Sequence, residues 1–170
     1  MSLLRLLFCL PLLCALDVSG AQITVLKGER ALLYQGEGKA RRFRIALGLA
    51  PVGTKLRQGD LKTPEGSYFI THKNPRSKFY LSLGISYPNR QDAERGRAAG
   101  LLTPAQYGAI VDAARERRLP PQHTRMGGEI FIHGSGSKQD WTWGCVALDD
   151  ADMAILYALV KPGDTVTILK

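Results

Sequence analysis

Short apolar and β-branched runs, separated by turn-forming residues, make up most of the chain. Alternation within these runs is typical of β-strands, and the Gly- and Pro-rich stretches between them are typical of loops. Strands are predicted at 22–26, 31–35, 42–47, 67–71, 79–85, 129–133, 145–148 and 165–169. Short strands at this spacing predict a β-rich α+β fold.

Two segments carry helix signals instead. The first covers 103–118, where Thr stands at the N-cap and Pro at the first helical position. The second covers about 149–160, where Met153, Leu156 and Val160 fall on one helical face. That apolar stripe is predicted to pack into the core rather than to bind a cofactor.

The segment 87–100, YPNRQDAERGRAAG, is polar and charged, so it is predicted to be a surface loop or a mobile flap. The sequence has no internal repeat, no low-complexity tract and no linker. A chain of 170 residues therefore fits one domain with a sizeable core.

The first 21 residues predict a secretory signal peptide, with Arg5 ahead of an apolar run at 6–16 and small residues before the cleavage site. The run is short for a membrane span and Pro11 interrupts it, so no stable membrane anchor is expected. We expect an exported protein of the periplasm or cell envelope, with one folded domain at 22–170.

The sequence has three cysteines, and cleavage would remove two of them and leave Cys145 alone in the mature chain. Exported proteins usually pair their cysteines, so a single thiol is either a small buried apolar residue or a nucleophile. The net charge of +8 suits an anionic partner. Nucleic acid is not expected, because export removes the usual target and no recognition motif is present.

The stretch 127–148 places His133 at the end of an apolar strand and Cys145 directly behind Gly144. A catalytic cysteine needs a base and donors for an oxyanion. His133 is the candidate base, and the carbonyl of Gly134 is the candidate group that orients its ring. Gly144 lets the chain bend so that backbone N–H groups approach the thiol.

Other candidates for chemistry are weaker. His72 and His123 sit in contexts typical of surface residues, and Ser135 and Ser137 lack the G-x-S-x-G setting of a serine nucleophile. The His–Cys pair supplies only two ligands without the paired spacing of a structural zinc site, so no metal is predicted.

Three blocks of the sequence point to one family. The block 59–66 reads GDLKTPEG, 130–134 reads IFIHG, and 142–146 reads TWGCV. In this order they resemble the G-D-x-x-T-P-x-G, His-Gly and [S/T]-H-G-C-[IV] blocks of the YkuD-type L,D-transpeptidases of bacterial cell walls. The likeness covers about 21–170, and the run SLGISYPN at 82–89 looks like the YafK subgroup.

This resemblance implies a mixed β-sandwich or barrel with a few short helices. It implies that Cys145 is the nucleophile, that His133 is its base and later an acid, and that the Gly134 carbonyl orients His133. The amides of Gly144 and Cys145 would form the oxyanion hole, and Thr142 would contact substrate.

The implied reaction is attack on the carbonyl of the L-centre of meso-diaminopimelate in a tetrapeptide stem of peptidoglycan. D-Ala leaves, and the acyl group passes to an amine to give a 3→3 crosslink or a protein attachment. No metal or organic cofactor is implied. A murein hydrolase that uses the same site, or that cleaves protein–murein links, is the nearest alternative, and an inactive wall-binding module is another.

Two positions depart from the family pattern. Trp143 stands where the family has His, and Ala147 stands where it has Arg or Asn. The missing polar contact leaves Lys62 or Lys138 as candidates to hold a stem carboxylate. Trp143 is predicted to contact substrate, and together with Trp141 it would line one side of the cleft. The alternative for each tryptophan is burial in the core.

Overall fold

The computed structural model describes residues 20–170, so the predicted signal peptide lies almost wholly outside the described residues. The strands are β1 (Gln22–Leu26), β2 (Ala31–Gly36), β3 (Lys39–Arg44), β4 (Gly66–Ser77), β5 (Tyr80–Ile85), β6 (Phe131–His133), β7 (Val146–Ala147) and β8 (Thr165–Leu169). The helices are α1 (Arg90–Ala98), α2 (Pro104–Arg115) and α3 (Asp150–Leu159). None of the helices within 20–170 is long and apolar enough to cross a membrane.

All eight strands form one sheet in the order β3-β2-β1-β8-β4-β5-β6-β7. The β1–β8 and β6–β7 pairs are parallel and the others are antiparallel. The long strand β4 joins two halves of the sheet, because Gly66–Phe69 pairs with β8 and the residues from Ile70 onward pair with β5. Register shifts in β4 after Ile70 and after Asn74 bend the sheet there. The predicted β-rich α+β fold is confirmed.

One face of the sheet forms the main core. Alternate strand residues such as Ile23, Val166 and Ile132 are buried on this face. Met153 and Leu156 of α3 pack against them, which confirms the predicted apolar stripe. The intervening strand residues lie on the other face of the sheet, and His133 of β6 is one of these.

The predicted surface loop at 87–100 is wrong, because the chain forms α1 there. Asn89 caps the helix by accepting from the Asp92 N–H, and the Asp92 carboxylate accepts from the Asn89 N–H. Asp92 is fully buried and also accepts from the Tyr68 hydroxyl at 2.9 Å, and burial raises its pKa. The polar residues of this segment therefore bond to one another and to the sheet, which their composition alone does not reveal.

The strand predicted at 42–47 begins earlier, at Lys39, and ends at Arg44. The next residues run beside the β7 region instead, through isolated bridges that pair Ala46 with Ala147 and Gly48 with Thr142. These bridges carry the long loop after β3 to the turn that precedes Cys145.

Candidate active site

His133 ends β6, where its ring is almost fully buried at 1 % exposure. The ring stacks on Phe79 with centroids 4.6 Å apart, and Trp141 meets it edge-on at 5.5 Å. Trp141 is itself fixed, since its indole N–H donates to the Gly136 carbonyl at 3.0 Å. Two aromatic rings therefore hold the imidazole in one orientation.

The Gly134 carbonyl lies 2.7 Å from Nδ1 of His133. Because a carbonyl only accepts hydrogen bonds, Nδ1 carries the proton and Nε2 keeps its lone pair. Burial lowers the pKa of His133, and the bond to Gly134 offsets this only in part. The ring is therefore a neutral imidazole near pH 7, in the tautomer that a general base requires.

The Cys145 thiol is held by two backbone groups of the neighbouring strand segment. The Phe131 N–H donates to Sγ at 3.4 Å, and the thiol donates to the Glu129 carbonyl at 3.6 Å. Burial of the sulfur raises the pKa of Cys145 to about 11, although the residue as a whole is partly exposed. The Phe131 N–H and the charges of Lys55 and Lys78 oppose this shift without reversing it. Cys145 is therefore a protonated thiol near pH 7.

The strand register brings the two candidates to one end of the sheet. Val146 pairs with Ile132 and Ala147 pairs with His133. Cys145 therefore lies beside Phe131 on the face that His133 also occupies. Among residues 20–170 no hydrogen bond joins the imidazole to the thiol, and such bonds commonly tighten only when substrate binds.

Thr142 organises the turn that presents Cys145. Its hydroxyl donates to the Cys145 carbonyl at 2.8 Å and accepts from the Gly144 N–H at 3.1 Å. The Gly144 amide is thus engaged, whereas the Cys145 N–H has no acceptor among the described residues. Two amides are predicted to form an oxyanion hole. In this conformation of the turn, the Cys145 N–H is free to donate to an oxyanion and the Gly144 N–H is not. A substrate contact by Thr142 stays a prediction, since its side chain is buried at 3 % exposure.

The GDLKTPEG block lies beneath this turn. A Cβ on Gly144, whose φ is 129°, would lie 2.7 Å from the Lys62 carbonyl oxygen. A Cβ on Gly48 would overlap Leu61 and approach the Gly144 N–H. The block therefore supports the turn with its backbone. The Lys62 amine lies near Gly53, and its predicted contact with substrate stays a prediction.

Trp143 is 79 % exposed, so the alternative of burial in the core is wrong for this residue. It stands one residue before Gly144, and exposed Leu49 lies nearby because its N–H donates to the Thr142 carbonyl. Trp141 is half-buried against His133. Ala147 is fully buried, so it offers no polar contact to substrate.

Sequence reasoning missed Gln122 and Glu129. Glu129 adopts a φ of 54°, and its carbonyl faces the thiol. The Gln122 side chain accepts from the Glu129 N–H at 2.7 Å and donates to the carbonyls of Pro120 and Tyr87. A glutamine in a loop gives no sequence signal for this role, because its three partners are brought together only by the fold.

The other histidines and serines considered as candidates make no contact with His133 or Cys145 among the described hydrogen bonds. His72 and His123 are exposed, and His72 bonds to the Thr71 hydroxyl. Ser135 is exposed, and Ser137 is buried with a hydroxyl that has no partner among the described residues. Within 20–170, no group of three or more His, Cys, Asp or Glu residues is arranged to hold a metal ion.

One known protein family matches almost all of the described residues. The family model YkuD, an L,D-transpeptidase catalytic domain, matches residues 20–168. The chain belongs to this family. The family is one of enzymes of the acyltransferase kind that act on peptidoglycan stem peptides.

Among the curated relatives, YafK of Escherichia coli K12 is 34 % identical over 85 residues, and its own assignment as an L,D-transpeptidase is provisional. The match covers 46 % of this chain and 35 % of YafK, so the chain spans well under half of that relative.

Solved structures share the fold. A variant of the helical cell shape determining protein Pgp2 from Campylobacter jejuni is 25 % identical, with a TM-score of 0.59, over 91 % of this chain and 48 % of Pgp2. An L,D-transpeptidase from Mycobacterium smegmatis is 11 % identical, with a TM-score of 0.52, over 89 % of this chain and 59 % of that one. The chain therefore corresponds to about half of these larger proteins.

The neutral pair predicts how thiol reactivity depends on pH. Because the pKa of Cys145 is about 11, only about one molecule in 10⁴ carries the thiolate at pH 7. The rate of alkylation by iodoacetamide without substrate should rise about tenfold per pH unit from pH 7 toward pH 10. Intact-mass spectrometry at several times measures the rate, and a plateau near pH 7 would show a thiolate–imidazolium pair instead.

Replacing Gly144 with alanine should distort the turn before Cys145. The variant must place a Cβ at a φ that disfavours it and against the Lys62 carbonyl, so the free energy of unfolding should fall by about 1–3 kcal/mol. The rate at which iodoacetamide alkylates Cys145 should change as well, because the turn positions the thiol. Gly163→Ala is the matched control, since its φ of 96° carries similar strain in open space away from the thiol. Equal effects of both variants on the thiol would show that the overlap with Lys62 is unimportant.

Proposed function

We propose that this protein is a peptidoglycan L,D-transpeptidase in which Cys145 is the nucleophile and His133 is its base. One observation carries the proposal: β6 and β7 bring an oriented neutral imidazole and a thiol to the same end and face of the sheet. Family membership supplies the reaction class. The substrate would be the tetrapeptide stem, with meso-diaminopimelate at its third position.

Acylation begins when Sγ of Cys145 attacks the carbonyl carbon at the L-centre of meso-diaminopimelate and its proton passes to Nε2 of His133. The tetrahedral intermediate then collapses. The bond to the D-Ala nitrogen breaks, and the Nε2 proton moves to that leaving amine. The products of this half-reaction are free D-Ala and a thioester on Cys145.

Deacylation repeats these steps with an acceptor. A side-chain amine of another stem attacks the thioester carbonyl and gives its proton to His133. The carbon–sulfur bond then breaks, and the thiolate of Cys145 takes the proton back. Transfer to a stem amine makes a 3→3 crosslink, and transfer to a protein amine attaches that protein.

The developing oxyanion would receive the free N–H of Cys145. The Gly144 N–H would join it if its bond to Thr142 Oγ1 gives way when substrate binds. Trp143 would form an exposed wall beside the acyl group, and Lys62 would attract a stem carboxylate. None of these steps requires a metal or an organic cofactor.

Hydrolysis is the second candidate, and the surroundings of the thiol support it. Ala147 offers a buried methyl group where the family pattern has a polar side chain, and Trp143 replaces His. An acceptor amine held by fewer polar contacts competes less well with water. The same Cys–His site would then trim tetrapeptides to tripeptides or cleave protein–murein links.

We also place this activity in the periplasm or cell envelope, with residues 1–21 as the signal peptide and 22–170 as the catalytic domain. Peptidoglycan lies outside the cytoplasm, so an enzyme that acts on its stems must be exported. N-terminal sequencing of the exported protein tests this cleavage, and a mature chain that begins near residue 22 is the expected result.

Product analysis separates the two reactions. Purified protein is incubated with tetrapeptide muropeptides, and the products are separated and weighed by mass spectrometry. Release of D-Ala with 3→3 dimers supports transfer, whereas D-Ala with tripeptide monomers alone supports hydrolysis. Absence of D-Ala release from both polymeric and soluble tetrapeptide substrates would contradict transfer and tetrapeptide trimming alike.

A further inference from the structure

A long polar groove crosses the outer face of the sheet, away from the core. Side chains of β1, β8 and β4, among them Thr24, Thr167 and Ser67, form its floor. The start of α1 and the end of α2 overhang it and enclose a cavity of ≈ 630 Å³. A second cavity of ≈ 580 Å³ shares Phe69, Arg117 and Arg118 with the first. The two cavities therefore form one groove along β4.

The groove is positively charged. Among residues 20–170, its lining includes Arg90, Arg117 and Arg118 but no aspartate or glutamate. Arg118 pairs with Glu116 and Arg90 with Glu94, in exposed pairs that hold the arginines weakly. Arg117 makes no ion pair among the described residues.

Arg117 is fixed in place without a carboxylate. Its guanidinium donates to the Gly163 carbonyl at 2.7 Å and lies over the Phe69 ring at 4.5 Å from the centroid. A guanidinium held by a ring and a carbonyl keeps donors free for an anionic group in the groove. Carboxylates match this geometry well.

The groove leads toward the thiol. It ends at His72, which pairs with Gly84, and Gly84 pairs with Phe131 next to Cys145. Residues paired in register point to the same face, so this row crosses the sheet on the catalytic side. The His72 ring lies over Gly84, where a Cβ would overlap it, and meets the Phe131 ring edge-on at 5.9 Å.

Distance separates the groove from the reacting bond. Three strand spacings lie between β4 and β7, or roughly 14 Å. The arginines are therefore too far from Cys145 to touch the residue under attack. They are well placed for a neighbouring part of a long substrate.

We propose that this groove binds a carboxylate-bearing stretch of a peptidoglycan strand and guides one of its stem peptides across His72 and Phe131 to Cys145. The identity of the ligand rests on the proposed function. The hydroxyl and amide side chains of the floor suit sugar and peptide groups, and the arginines suit the stem carboxylates. The groove thus selects polymer over free peptide.

The test measures binding and turnover separately. Binding to purified sacculi is measured by co-sedimentation in the Cys145→Ala background, so that it does not depend on catalysis. The double variant Arg117→Gln/Arg118→Gln should bind sacculi about tenfold or more weakly, the scale of losing one or two charge-assisted hydrogen bonds. With Cys145 intact, the same variant should keep its turnover of a soluble tetrapeptide and lose turnover of polymer.

Arg115→Gln is the control for the loss of positive charge, since it removes one arginine from the end of α2 outside the groove, compared with two in the double variant. Ser67→Glu and Ser67→Lys give a second test that spares the arginines. Ser67 is an exposed groove residue, so the carboxylate should weaken binding to sacculi and the amine should not.

Equal binding of all variants would overturn the proposal, as would a parallel loss of turnover on the short peptide. Reduced binding to phosphatidylglycerol vesicles with unchanged binding to sacculi would assign the groove to membranes and overturn it too. A wild-type protein that binds sacculi through these arginines yet releases no D-Ala would contradict the proposed function and leave the groove in place.

Discussion

Replacing Cys145 with alanine should reduce turnover of tetrapeptide stems by about 10⁴-fold or more, the scale of losing a nucleophile from an acyl-transfer enzyme. The residue is partly exposed, and its sulfur makes two weak hydrogen bonds within the described part of the chain. The melting temperature should therefore change by no more than about 4 °C. D-Ala release measures the activity, and thermal unfolding monitored by circular dichroism measures the fold.

Ser135→Ala is the control for this experiment. Ser135 is an exposed hydroxyl between the two candidate residues, and it is not expected to carry chemistry. Its variant should keep full activity. A folded Cys145→Ala protein with normal turnover would falsify the assignment of the nucleophile. A wild-type thiol that resists alkylation even at pH 10, while the protein still binds sacculi, would support an inactive wall-binding module.

Replacing His133 with asparagine should lower kcat/KM by about 10²–10⁴-fold, the usual contribution of a general base. The asparagine amide can still donate to the Gly134 carbonyl, but it has no lone pair to take the thiol proton. Because the folded pKa of His133 lies below 6.5, wild-type activity should persist below pH 6.5 and fall only as the pH drops through that lowered value.

His123→Gln is the matched control, because His123 is an exposed histidine outside the site. Its variant should keep both the activity and the acid limb of the pH profile. Loss of the aromatic contacts with Phe79 and Trp141 should destabilise His133→Asn, so kcat/KM is compared at a temperature where thermal unfolding shows both proteins folded. An unchanged kcat/KM in the asparagine variant would remove His133 from the mechanism.

The sequence predicts most of the strands well because they depend on local pattern, and it singles out His133 and Cys145 as candidates for the same reason. Alternation places Ile132 in the core, and the His-Gly and Gly-Cys pairs mark their turns without further context. The hydrogen bond from His133 to the Gly134 carbonyl involves adjacent residues, so one dipeptide is enough to suggest it.

The missed features depend on contacts between distant segments. From the sequence alone, Asp92 is expected to be a charge on the surface. In the fold its carboxylate accepts a hydrogen bond from Tyr68, which lies 24 positions earlier. The Gly144 amide reads as free until the Thr142 hydroxyl is seen to bind it. The high pKa of Cys145 follows from burial by the fold, and the groove appears only when β1, β8 and β4 lie side by side.

The proposed reaction requires the Cys145 sulfur to carry the acyl group between its two half-reactions. The direct measurement is rapid mixing of the protein with a tetrapeptide muropeptide, acid quenching, and intact-mass spectrometry followed by peptide mapping. The expected result is an added mass equal to the substrate less D-Ala, found on the peptide that contains Cys145 and absent from Cys145→Ala. Steady release of D-Ala with the adduct on another residue would contradict it.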